Sequence, residues 1–159
     1  NWGKESIALD TTTAAGLAVA QDLCARADIV TASFKPGDAR KLKLDHATLA
    51  ARNPRLIYGQ INAYGEDDPR PGFDAIVQAE AGFTYLNGEP DGPATKMPVA
   101  LVDLLAAHQL KEALLLALLK RERTGQGSFV SVSLLQAAVA SLANQATNYL
   151  VGGIVPQRM

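Results

Sequence analysis

The sequence is poor in the residues on which the commonest functional sites are built. Cys24 is the only cysteine among 159 residues, so no internal disulfide can form and no cysteine-based zinc site can be assembled. A lone thiol fits a reducing compartment, and the expected location is the cytoplasm, or an organelle matrix if the protein is eukaryotic. His46 and His108 are the only histidines, and neither stands at ligand spacing from an acid, so no metal is expected. A Gly-x-Gly-x-x-Gly turn after a strand is missing, as is Gly-x-x-x-x-Gly-Lys-Ser/Thr, which removes the dinucleotide and P-loop readings. Fifteen Lys plus Arg against 16 Asp plus Glu leave a net charge of −1. No basic block offers a footprint for nucleic acid or an anionic membrane. The longest apolar stretch, Leu110 to Leu119, is broken by Lys111 and Glu112 and is too short to span a bilayer. The opening Asn1-Trp-Gly-Lys4 lacks the apolar core of a signal peptide.

What is present suits a globular domain. A hydrophobic fraction of 48% with 19% charged residues can bury a substantial core. The start at Asn1 and the stop at Met159 read as an internal stretch of a longer protein.

The pattern alternates strand and helix. Ser6–Asp10 is predicted as a strand, Thr11-Thr-Thr13 as a cap and Ala14–Arg26 as an Ala-rich helix. Asp28–Ser33 is the next strand, and Phe34-Lys-Pro-Gly37 turns it towards a helix, Pro36 disfavouring helix at Lys35. Leu44–Arg52 is a short helix capped by Asp45, and Leu56–Asn62 a third strand. Phe73–Phe83 is helical and ends at Gly82, and Asn87–Pro93 is a loop. Ala100–Arg121 is the longest helix, Thr124–Gly127 a turn, Ser128–Ser133 a strand, and Leu134–Val151 one long helix stopped by Gly152-Gly153. Such alternation predicts an α/β, Rossmann-like parallel sheet with flanking helices. A fold of this kind does not by itself supply a function.

Asp103 interrupts the apolar stretch Pro98-Val-Ala-Leu-Val-Asp-Leu-Leu-Ala-Ala107 at the start of the longest helix. A carboxylate there lies near unpaired N–H groups and the positive end of the helix dipole, which favour its ionised form. It can serve as an N-cap or as a chemical group.

In order and spacing, Gly3-Lys-Glu-Ser-Ile-Ala-Leu-Asp10, Phe34-Lys-Pro-Gly37, Asn53-Pro-Arg-Leu-Ile-Tyr58, Gly72-Phe-Asp-Ala-Ile-Val-Gln-Ala79, Val102-Asp-Leu104 and Arg121-Glu-Arg-Thr-Gly-Gln-Gly127 resemble family III CoA-transferases, the group that includes formyl-CoA transferase and carnitine CoA-transferase relatives. The resemblance implies that residues 1–133 are part of a Rossmann-like, CoA-binding large domain. Residues 134–159 would then be a long helix and the start of a linker towards a small domain. It also implies an interlocked homodimer, with acyl-CoA and a small carboxylic acid as substrates and no permanently bound cofactor. In this family the aspartate matching Asp103 attacks an acyl-CoA thioester and forms a mixed anhydride. A carboxylate with an unperturbed pKa of roughly 3.9 needs no partner base for this, unlike Ser or Cys. An active-site loop rich in glycine lies outside the matching segments, so the chain alone is expected to be inactive.

The resemblance places Lys4 and Lys41 where the family sets basic residues against CoA. Lys35, a further candidate for CoA, adds local charge around the Phe34–Gly37 turn together with Arg40 and Lys43. Lys35 stands where relatives often have Arg, Ser33 where they have Asn, and Ala107 where they have Gly. Phe73 occupies the position at which the related α-methylacyl-CoA racemases carry a histidine, and racemisation needs two acid–base groups. Phenylalanine therefore favours transfer over racemisation; a non-catalytic CoA-binding module is the remaining alternative. Leu142-Ala-Asn-Gln-Ala-Thr-Asn-Tyr-Leu150 resembles the dicarboxylate transferases, pointing to acids such as succinate. Gln78, Glu80 and Tyr85 are further candidates for substrate contact. His46 is expected to be solvated on a polar helix face, His108 to lie round the helix from Asp103, and Cys24 to be a small core residue.

Overall fold

The computed structural model describes residues 2–35 and 37–158; Pro36, in the predicted turn, lies outside them. Three strands, β1 (Ile29–Ala32), β2 (Ile57–Asn62) and β3 (Ser128–Ser133), form a parallel sheet in the order β1-β2-β3. β2 is central and buried along nearly its whole length, which explains why Leu56, just before it, and Ile57 and Tyr58 within it run on without a polar-apolar alternation.

Two layers of helices cover the sheet. On one face α1 (Ala14–Arg26) and α3 (His46–Ala50) pack through Cys24 and Leu49, with Leu44 just before α3, against Tyr58, Val30 and Ala32. The Tyr58 hydroxyl donates to the Leu44 carbonyl at 2.9 Å, and burial pushes its pKa up to about 12. On the other face lie α4 (Asp74–Glu80), the 24-residue α6 (Leu101–Thr124) and α7 (Leu134–Ser141). Val77, Val102, Ala106, Ala137 and Ala138, all with no exposed surface, form the larger core there. Small residues where α6 meets α7 let the backbones approach closely, and each fully buried aliphatic side chain contributes about 1.5–3 kcal/mol.

The predicted caps form: Thr13 accepts from the Gly16 N–H, and Asp45 from that of Thr48. Two short helices, α2 (Asp38–Lys41) and α5 (Phe83–Leu86), were not anticipated, since one turn carries no period to read. Two predictions need correction. Ser6–Asp10 is mostly exposed and forms no strand, because an extended segment becomes a strand only when a neighbour supplies its ladder. The single helix over Leu134–Val151 is instead two, α7 and α8 (Asn144–Gly152), broken at Ala143 with φ 46° and ψ −114°. No described helix is long and apolar enough to cross a membrane.

Candidate active site

Ligand sites in parallel sheets form at the carboxyl ends of the strands, and here that edge is a cleft. Ser33 follows β1, Asn62 ends β2 and Leu134 follows β3, and all three line an open cavity of about 400 Å³ that also contains Asp103, Lys35, Arg70, Gly72 and Phe73. One wall is made by Gly72: a Cβ there would lie 2.5 Å from the Ala63 side chain, so only glycine lets the 70–73 segment pass so close to the end of β2.

Asp103 occupies the third position of α6 and is exposed to the cleft. It is not the helix cap. Ala100 holds the N-cap position and makes no side-chain hydrogen bond there. The acceptor comes from another helix: Asp74, the first residue of α4 and 8% exposed, takes the Val102 N–H on Oδ1 at 2.8 Å and the Asp103 N–H at 3.4 Å. Helix termini leave such donors unsatisfied, and a buried carboxylate is a strong acceptor for them.

This arrangement changes the electrostatic expectation. Partial burial first, and the negative charge of Asp74 second, raise the Asp103 pKa above the ordinary carboxylate value. The helix terminus does not leave it unusually acidic, because Asp74 has already taken the first-turn N–H groups.

The cations of the cleft differ in availability. Arg70 is tethered: its guanidinium contacts Asp68 at 2.9 Å and Glu80 at 3.5 Å and lies over the Tyr64 ring, 4.1 Å from its centroid. Lys35 has no ion-pair partner among the described carboxylates. Asn62 is held by an Asx turn, accepting the Gly65 N–H at 2.7 Å, and by a bond to Glu66 at 2.8 Å. Phe73 is 75% exposed and presents no proton-transferring group.

Of the basic residues singled out from the sequence, only Lys35 shares the Asp103 cleft. Lys4 is exposed in the segment before α1, and Lys41 is paired with Asp38 at 2.9 Å. Gln78 is fully buried behind the site, Glu80 holds Arg70, and the Tyr85 hydroxyl donates to Gln157 at 3.1 Å away from the cleft. His46 is not simply solvated: its ring lies 5.6 Å from that of Phe129 and 6.2 Å from that of Tyr58, and burial lowers its pKa. Burial likewise raises that of the Cys24 thiol. Sequence reasoning missed Asn62 and Arg70 as cleft residues. The position of Asn62 at the end of the central strand was the available signal.

A family model described as CoA-transferase family III matches residues 1–159. The succinate–glutarate CoA-transferase of Agrobacterium fabrum is 38% identical over 162 residues, covering 100% of this chain and 40% of that protein. A probable fatty acyl-CoA transferase of Mycobacterium tuberculosis is 41% identical, covering 94% of this chain and 39% of its own length. The crystal structure of a CaiB/BaiF family protein from Brucella suis superimposes with a TM-score of 0.95 at 39% identity, covering 99% of this chain and 42% of that one. The chain thus spans about two fifths of the length of these relatives. A match over every residue, together with a shared three-dimensional fold, shows that the chain belongs to CoA-transferase family III.

Proposed function

We propose that Asp103 is the nucleophile of an acyl-CoA:carboxylate CoA-transferase. A carboxylate oxygen attacks the thioester carbonyl, the carbon–sulfur bond breaks and CoA leaves as its thiolate, with the acyl group held on Asp103 as a mixed anhydride. Acyl group and CoA are then redistributed through further covalent intermediates onto the acceptor acid, and the Asp103 carboxylate is regenerated. The anhydride is close in energy to the thioester it replaces, so transfer remains reversible without ATP. Its hydrolysis is limited by excluding water, to which the apolar cleft residues Phe34, Ile61 and Leu134 contribute.

The observation that carries this reading is the exposed Asp103 carboxylate, made more basic by its surroundings, in a strand-end cleft beside Lys35. Lys35 serves the anionic CoA, with Lys4 and Lys41 reaching its more distant phosphates. The CoA-binding large domain takes in residues 1–133, and 134–159 lead towards a small domain. The complete enzyme is an interlocked homodimer in the cytoplasm, and its acids are dicarboxylates such as succinate. This last point draws on the 142–150 segment and on the substrates named for the Agrobacterium relative. Phe73 in place of an acid–base residue speaks against the racemase reading.

The test uses the full-length enzyme incubated with acyl-CoA, quenched with hydroxylamine or borohydride and mapped by mass spectrometry. Modification at Asp103, with loss of turnover in Asp103→Ala, is expected. No adduct and full activity in Asp103→Ala overturn the assignment, and hydrogen exchange at the α-carbon in deuterated water would restore the racemase reading.

A further inference from the structure

The buried side chain of Gln78 uses every one of its polar atoms on the segment that leads into Asp103. Its Oε1 accepts the Met97 N–H at 2.9 Å, and its Nε2 donates to the Val99 carbonyl at 3.2 Å and to Asp74 Oδ2 at 2.6 Å. The other oxygen of Asp74 in turn holds the Val102 and Asp103 N–H groups. One amide and one carboxylate, joined to each other, therefore fix the loop before α6 and its first turn at four points: Met97, Val99, Val102 and Asp103. Both lie on α4, four residues apart and so on the same face.

Gln78 has no exposed surface and Asp74 only 8%. A polar pair buried at that depth costs free energy unless it is fully satisfied, and an ordinary cap residue at position 100 would have satisfied the helix without it. Here Ala100 leaves the first turn to the pair. The helix start that carries the carboxylate is thereby locked to α4, whose own N-terminus forms the other side of the cleft at Phe73.

We infer that Gln78 and Asp74 are positioning residues for Asp103: Gln78 orients Asp74, and Asp74 holds the first turn of α6 so that the attacking carboxylate faces the cleft. Neither touches substrate. The inference rests on Asp103 being the nucleophile. The charged groups around Asp103 are Asp74 beneath it and Lys35 and Arg70 across the cleft, with Arg70 already held by Asp68 and Glu80. Asp74 is thus the negative group that acts on it directly, and it raises its proton affinity.

The experiment compares Gln78→Met, Asp74→Asn and Asp103→Ala in the full-length enzyme. Gln78→Met keeps the volume and removes the hydrogen bonds. Its kcat is expected to fall roughly 10- to 100-fold, the loss typical of a slightly misplaced reacting group, with the KM for acyl-CoA changed less than about twofold. Asp74→Asn keeps an oxygen for the Val102 N–H but removes the charge, and is expected to move the acid limb of the pH–rate profile to lower pH. Gln78→Glu, which restores the oxygen but not the donors, is expected to rescue little of the lost kcat. Wild-type kcat in Gln78→Met together with an unmoved acid limb in Asp74→Asn overturns the inference, whatever the melting temperatures. If Asp103→Ala itself stays active, the nucleophile reading fails instead, so the two failures are distinguishable.

Discussion

Asp103 carries a cost that its neighbours impose. Its pKa is raised in the folded chain by burial and by Asp74, so folding disfavours the ionised form. Above the ordinary carboxylate pKa this subtracts stability, and the penalty disappears as pH falls below it, where the group is protonated in both states. Asp103→Asn should therefore melt about 1–3 °C higher than the wild type at neutral pH. The gain should vanish near pH 3. Thermal melts at the two pH values check this, and a variant less stable at neutral pH would contradict it. Asp103 could be singled out from the sequence because it is an acid among apolar residues. Its partner could not: Asp74 lies 29 residues away and reads locally as an ordinary acidic residue in the first turn of a helix. His46 was misjudged for a similar reason, because the rings of Tyr58 and Phe129 that flank it come from strands distant in sequence.

Elements with a long period or a capping residue were readable, and those defined by tertiary contact were not. Thr13 and Asp45 announced α1 and α3 because their oxygens act on N–H groups only a few residues away. The break between α7 and α8 gave no signal, since Leu142-Ala143 contains neither Gly nor Pro. A non-glycine residue at φ 46°, ψ −114° is strained. We expect Ala143→Gly to stabilise the protein by about 1 kcal/mol, the relieved strain outweighing the added chain entropy, which a denaturant titration would measure. The opposite case is Gly127, at the turn from α6 into β3. Its N–H donates to the Pro54 carbonyl at 2.8 Å, and a Cβ on it would lie 1.9 Å from the Leu56 carbonyl oxygen. Gly127→Ala must push β3 away from β2 and should cost about 3 kcal/mol or more; a loss under 1 kcal/mol in the same titration would mean that the turn yields easily.

At the level of the whole chain, the sheet and its apolar faces leave surface that calls for cover. On α6, Leu115, Leu116 and Leu119 are 54%, 67% and 60% exposed, and around α8, Leu150, Val151 and Ile154 are 79%, 84% and 63% exposed. The outer edge of β1 pairs with no described strand, and unpaired edges beside apolar patches invite association. That the sheet is parallel was readable from strand–helix alternation, but the exposure of these leucines was not, because a buried helix and an uncovered one share the same pattern. In the proposed dimer these are the surfaces that a partner chain covers. Purified by itself, the 159-residue chain should bind a hydrophobic dye strongly and elute as associated species. The full-length enzyme should bind little dye and elute as a single dimer. Placing Lys at 116 and 119 should shift the isolated chain towards monomer, because two charges on that face must be desolvated for it to pair. A wild-type chain that stays monomeric and dye-silent would show that these faces need no partner, and the dimer proposal would lose its structural motive.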